Sequence, residues 1–128
     1  MQNLRWKDWL SQAERDLEWA KDVFTTPVFL SQTWLVCQQV GEKTLKALAY
    51  FRGADLVKSH SVKTIAKELG ENGEIESMGQ KLDLYYIPTR YPDAFMEGAP
   101  FEYFEESQAK EAIELAEKII DLIKVKLL

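Results

Sequence analysis

Several residue types and patterns are scarce in this 128-residue chain, and each scarcity excludes a class of protein. Cys37 is the single cysteine, so no intrachain disulfide and no cysteine metal cluster can form, as is typical of the reducing cytoplasm. No apolar run approaches the ~18 residues that span a membrane, and residues 1–6 lack the apolar core of a signal peptide. We therefore expect a cytoplasmic protein without a membrane partner.

Positive charge is also in short supply, because 21 acidic residues outnumber 16 lysines and arginines and give a net charge of −5 at pH 7. An acidic protein is not expected to wrap nucleic acid around its whole surface, so we expect no DNA partner. A local basic site is still compatible with this net charge. The glutamates of the last segment lack histidine partners and convergent spacing. We expect neither a metal nor another cofactor.

Apolar and aromatic residues are plentiful: 46% of the chain is hydrophobic, with four tryptophans, five tyrosines and six phenylalanines. A chain of this length forms one domain that buries about two-thirds of its unfolded surface. We therefore expect a single domain over residues 1–128, with a core or an interface built largely from rings.

Apolar residues recur at spacings of three and four, which predicts helices. The first helix is expected over about residues 4–24. The second is expected over about 27–52, with a threonine cap and Pro27 at its first position. Its apolar residues lie on two faces, which is typical of a central helix that also meets a second subunit. Its polar side is expected to carry Gln38, Gln39, Glu42, Lys43 and Lys46.

Three further helices are predicted. A short one is capped by Ser59 or Ser61 and runs through residue 69, a second spans about 74–86, and a long one spans about 102–127. No alternating strand pattern and no internal repeat is present. The sequence therefore predicts an all-α fold, an up-and-down bundle of three long and two short helices.

The segment between the last two helices combines helix breakers with an arginine and tyrosines. Pro88 and Pro92 stop helix propagation, and Arg90 lies between them beside Tyr86 and Tyr91. A guanidinium can hold a phosphate bidentately while rings stack on a base. Arg90, Tyr91 and Tyr86 are therefore candidate nucleotide-binding residues, with Lys43 as a further phosphate contact. The alternatives are an Arg90 tether to Asp93 or Glu42, and Lys43 on a solvated helix face.

Three segments resemble signatures of the HEPN family (higher eukaryotes and prokaryotes nucleotide-binding). They are QQVGEKTLKAL at residues 38–48, SHSV at 59–62 and YIPTRYPD at 86–93. The resemblance covers nearly the whole chain and implies an up-and-down helical bundle, usually a homodimer. It also implies a small nucleotidyltransferase as partner, because prokaryotic members are often encoded beside one. Some members are metal-independent RNases, and some of those are toxins silenced by that partner.

The RNase motif of the family is not intact in this chain. It consists of an arginine followed within a few residues by a histidine, and no histidine follows Arg90. Arg52 and His60 have seven residues between them, and residue 62 is valine where toxin forms carry a modified tyrosine. His60 and Arg52 are the candidates for any catalysis, with His60 as proton carrier. The alternative for His60 is a structural residue at a helix start.

The leading hypothesis is therefore a binding module rather than an enzyme. It binds a nucleotide around Arg90 and Tyr91 and works with a small nucleotidyltransferase, as in a toxin–antitoxin pair. A first alternative is an atypical metal-independent RNase that acts on single-stranded RNA. A second is a structural scaffold that only dimerises.

Overall fold

The computed structural model describes residues 4–84, 98–99 and 104–127 of the chain. Within these residues it contains helices and no strand, which confirms the all-α bundle of three long and two short helices. The helices are α1 (Trp6–Phe24), α2 (Leu30–Phe51), α3 (Val62–Glu68), α4 (Glu74–Asp83) and α5 (Glu106–Lys126). None of the described helices is long and apolar enough to cross a membrane.

Helix α2 is the centre of the bundle and packs against α1, α3, α4 and α5. Its Trp34 ring is buried, donates its Nε1–H to the carbonyl of Leu82 at 3.0 Å and lies 6.3 Å from the ring of Phe104. Burial raises the pKa of the Cys37 thiol to about 12, so this side chain stays protonated and packs as a small apolar residue. Both observations confirm the prediction of a central helix.

Much of the apolar surface of α2 is buried within the chain itself. Val40, Leu45, Ala47 and Leu48 are fully buried among the other helices. Leu35, Val36 and Phe51 of the same helix stay partly exposed, so contact of α2 with a second subunit remains a prediction. Two faces of α2 are covered because the same chain supplies neighbours on each of them.

The ends of the helices differ from the sequence-based limits. Helix α2 begins at Leu30 and not at Pro27, because Val28 N–H closes a turn onto the Thr26 carbonyl at 2.8 Å and Phe29 is not helical (φ −100°, ψ 60°). Helix α4 ends at Asp83, before the expected limit of 86. Helix α5 begins at Glu106, where Glu105 and Gln108 form a capping box. Tyr86 and Glu102 lie outside the described residues.

The predicted polar side of α2 is buried at three of its five positions. Gln38, Glu42 and Lys46 are buried, and each has partners inside the protein. The α2–α3 connection and α1 cover this side of the helix, because His60 from the connection and Trp9 from α1 contact it. The polar row is therefore an internal network.

Helices α3 and α4 form a tight pair whose geometry places the α2–α3 connection. Ser61 caps α3 by accepting a hydrogen bond from Thr64 N–H at 3.1 Å, which confirms one of the two predicted caps. The Asp83 carboxylate at the end of α4 accepts hydrogen bonds from Val62 N–H, Lys63 N–H (both 2.9 Å) and the Ser61 hydroxyl (2.7 Å). A distant carboxylate thus completes the start of α3.

Candidate functional site around His60

His60 lies in the connection between α2 and α3, and two buried side chains of α2 fix it. Its carbonyl accepts a hydrogen bond from Gln38 Nε2 at 2.8 Å, and its ring Nδ1 lies 2.9 Å from Glu42 Oε1. The imidazole is nevertheless 66% exposed. Since an ionised carboxylate can only accept, the hydrogen bond to Glu42 requires a proton on Nδ1. This arrangement presents an oriented imidazole to solvent.

Glu42 shares the same oxygen between two partners. Lys46 Nζ lies 2.8 Å from Glu42 Oε1, and the two side chains are only 7% and 10% exposed. The Lys46 ammonium also lies 5.4 Å from the centroid of the Trp9 ring, which in turn packs against Tyr50 at 5.8 Å. A buried charge is tolerated only when it is paired and hydrogen-bonded. Lys46 therefore compensates the charge that Glu42 carries beneath His60.

Gln38 connects His60 to the end of α4. Its Nε2 donates to the His60 carbonyl and to Asp83 Oδ1, the latter at 3.0 Å. Both partners are acceptors, so the amide nitrogen must face them. Within the described part of the chain, the buried Gln38 Oε1 has no hydrogen-bond partner. A buried carbonyl without a donor is unfavourable, which makes this amide a constrained element of the site.

Lys43, a candidate phosphate contact, is occupied by another residue. Its Nζ lies 2.6 Å from Asp16 Oδ2 of α1, and both side chains are largely buried. A phosphate at Lys43 would compete with this carboxylate. Lys43 is not a solvated surface lysine either, because its ion pair with Asp16 joins α2 to α1.

Arg52, the second candidate for catalysis, holds the ends of three helices together. Its guanidinium donates to the Leu69 carbonyl at 2.9 Å and to Glu71 Oε1 at 2.8 Å, while Lys126 Nζ lies 3.2 Å from the other oxygen of Glu71. Burial alone would raise the pKa of Glu71, but the hydrogen bonds and charges of Arg52 and Lys126 outweigh it and lower that pKa. No contact in the described residues joins Arg52 to His60.

The structure thus brings His60 together with Gln38, Glu42 and Lys46. Arg90, Tyr91 and Tyr86 lie outside the described residues. Sequence reasoning missed Gln38 and Glu42 as partners of His60. The available signal was their spacing, since residues 38, 42 and 46 fall on one stripe of a helix, but that spacing does not show which distant residue meets the stripe. No group of metal-ligating side chains occurs within the described ranges.

Comparison with known proteins decides the family. The HEPN domain model matches residues 6–126. The chain belongs to the HEPN family. This HEPN chain is 32% identical to TT1696 from Thermus thermophilus, with a TM-score of 0.85 over 96% of this chain and 98% of that one. It is 34% identical to ST0689, an archaeal HEPN homologue, with a TM-score of 0.79 over 97% and 98% of the two chains. The comparison with curated proteins gives no match.

Proposed function

We propose that this HEPN chain is a nucleotide-binding module that works with a small nucleotidyltransferase, as in a toxin–antitoxin pair. Arg90 and Tyr91 contact the nucleotide, with Tyr86 as a further contact. The cytoplasm is the expected compartment of this pair.

One observation carries the nucleotide-binding proposal: the segment with Arg90 follows an anchored helix end. Asp83, the last residue of α4, is held by Gln38 and by three groups at the start of α3. The YIPTRYPD segment begins three residues later in the sequence. A guanidinium and tyrosine rings that follow a fixed helix end are suited to a planar ligand with a phosphate, because binding loops work from rigid supports.

The nucleotide site is tested by titrating wild type and Arg90→Ala with ATP, GTP, AMP and GMP, with tryptophan fluorescence or calorimetry as readout. We expect at least tenfold weaker binding by Arg90→Ala, because it removes a bidentate phosphate ligand worth roughly 1.5–3 kcal/mol. The control is Arg15→Ala, an exposed arginine on α1 that pairs with Glu18. Equal affinities of Arg90→Ala and wild type would remove the site.

The partner is tested by co-purification. The chain is expressed together with the product of any adjoining reading frame for a small nucleotidyltransferase. We expect a stable complex. Separate elution of the two proteins at micromolar concentration would contradict this half of the proposal.

The His60–Glu42 pair favours a second candidate function, a metal-independent RNase. An exposed imidazole whose Nδ1 rests on a buried carboxylate has the orientation needed to move a proton through Nε2. The test is cleavage of single-stranded RNA in the presence of a chelator. Activity should disappear in His60→Ala and fall in Glu42→Gln. Intact RNA at high protein concentration would rule out the RNase function. If the protein also bound no nucleotide, the remaining hypothesis would be a structural scaffold that only dimerises.

A homodimer is also part of the proposal, on the strength of the family resemblance. Sedimentation equilibrium at micromolar concentration should give the mass of two chains. A monodisperse species of 14.8 kDa would contradict it.

A further inference from the structure

The twelve residues 56–67 form a basic region in an acidic protein. They contain three lysines, one histidine and no carboxylate, so their formal charge is +3 while the rest of the chain carries −8. Lys58, His60, Lys63 and Lys67 make up this basic strip. It runs from the α2–α3 connection onto α3, where Lys63 and Lys67 are one helical turn apart.

The lysines of the basic strip differ in their pairing from most other lysines of the protein. Six others are each paired with a carboxylate, namely Lys21, Lys43, Lys46, Lys118, Lys124 and Lys126. In the described part of the chain, no ion pair or hydrogen bond involves the ammonium groups of Lys58, Lys63 or Lys67. Lys58 and Lys67 are exposed and Lys63 is partly exposed. Their charges are therefore available to an external anion.

Two carboxylates, those of Glu42 and Asp83, contact the strip, and both are hydrogen-bonded to other groups of the protein. Glu42 reaches the His60 ring but is also paired with Lys46. Asp83 accepts the amides of Val62 and Lys63, so the start of α3 is already capped from within the protein. Among the described residues, neither carboxylate accepts a hydrogen bond from a lysine ammonium of the strip. Asp55 and Glu68 flank the strip in the sequence and are exposed, and no ion pair joins them to its lysines in the described part of the chain.

We propose that the basic strip is a contact surface for the phosphate backbone of single-stranded RNA, with the strand passing His60. The choice of RNA rests on the second candidate function, in which His60 moves a proton during cleavage of single-stranded RNA. Binding is independent of cleavage. A row of unpaired ammonium groups provides sequence-independent contacts to phosphates. An acidic protein segment is a less suitable ligand for the strip than RNA. Protein interfaces rely on several exposed apolar side chains, and in the described stretch 52–68 Leu56 is the one large side chain of this kind.

The experiment measures the salt dependence of binding to a fluorescein-labelled 2′-O-methyl oligouridine, which cannot be cleaved through its 2′-oxygen. Each phosphate contact contributes about 0.7 to the slope of log affinity against log salt for a single strand. Lys63→Ala/Lys67→Ala should therefore lower the magnitude of the slope by about 1.4 and weaken binding at low salt. Lys81→Ala/Lys110→Ala is the matched control, because it removes two exposed lysines, on α4 and α5, that also have no ion pair among the described residues.

The results of this experiment distinguish RNA binding at the strip from non-specific binding and from binding of an acidic protein. An unchanged slope in the control together with a lower slope in the strip variant supports the proposal. Equal changes in the two variants, or no binding by wild type at low salt, overturn it. Binding of poly-L-glutamate but not of the oligonucleotide, with loss in the strip variant, also overturns it and assigns the surface to an acidic protein. Nucleotide titration and RNA cleavage are measured separately, so their failure is distinguishable from failure here.

Discussion

Glu71 illustrates at the scale of single residues how this protein uses its charges. The carboxylate lies between α3 and α4, is mostly buried and binds both Arg52 and Lys126. These partners lie at the ends of α2 and α5. One side chain thereby joins parts of the chain that are far apart in sequence, and its lowered pKa is the thermodynamic signature of that role.

Glu71→Gln should lower the free energy of unfolding at pH 7 by about 1–3 kcal/mol, because charge-assisted hydrogen bonds are lost. The folded pKa is depressed, so the contribution of the ionised carboxylate is complete above the ordinary glutamate pKa of about 4.3 and is lost as pH falls through the lower folded pKa. Urea unfolding from pH 7 to pH 3 should therefore show the two proteins converging in acid.

The control for this measurement is Glu68→Gln, an exposed glutamate near the end of α3. It should match wild type at every pH. A constant difference between Glu71→Gln and wild type over the whole range would contradict the linkage.

Some properties of single residues follow from the sequence and others do not. Cys37 lies within an apolar stretch, so its burial could be predicted. The pairs Arg52–Glu71, Lys43–Asp16 and Gln38–Asp83 could not, because each joins residues at least nineteen positions apart. Periodicity describes which face of a helix a residue occupies, and it carries no information about which distant residue meets that face.

At the scale of elements, the α3–α4 pair has a very close backbone approach. A Cβ added at Gly79 would lie 2.9 Å from Lys63 N and 2.9 Å from Val62 Cγ1. Glycine is required here because its absent side chain lets the backbone of α3 lie against α4. This contact and the Asp83 carboxylate together hold the start of α3, and with it the position of His60.

Gly79→Ala should destabilise the protein by about 1–3 kcal/mol. Alanine favours a helix by about 1 kcal/mol over glycine, but the new methyl group overlaps backbone atoms that cannot rotate away. Thermal unfolding measures the change, and Ser77→Ala on the exposed side of α4 is the control. A Gly79→Ala protein more stable than wild type would show that α3 and α4 are not packed this closely.

Asp83→Asn should also destabilise, by about 2–3 kcal/mol. The amide presents an NH2 group to donors, so it cannot accept all the hydrogen bonds from Gln38, Ser61, Val62 and Lys63. Hydrogen exchange should become faster for the amides of Val62 and Lys63. Asp121→Asn, an exposed aspartate on α5, is the control, and unchanged exchange in Asp83→Asn would contradict the capping role.

The existence of every described helix could be predicted from sequence, whereas the ends could not. Three-and-four spacing of apolar residues persists over α1, α2 and α5, which suffices to find them. The start of α2 depends on the backbone conformation of Phe29, and the start of α3 depends in part on Asp83, more than twenty residues away. Local sequence patterns contain neither kind of information.

For the whole molecule, the structure describes a central helix that carries polar side chains into the bundle and supports one exposed imidazole. Gln38, Glu42 and Lys46 are inside, and His60 is outside. Such buried polar groups are maintained only when their partners are in place, so the bundle and the His60 site depend on each other. The HEPN fold of this chain therefore holds the exposed His60 imidazole on buried side chains of its central helix.

Isothermal titration calorimetry of the wild-type protein tests whether this HEPN chain binds a nucleotide, as we propose. The protein is titrated with ATP and, in a separate run, with GTP, in the presence of a chelator. We expect saturable binding of at least one of them, with one nucleotide for each chain. No heat of binding up to millimolar concentrations of either nucleotide would contradict it.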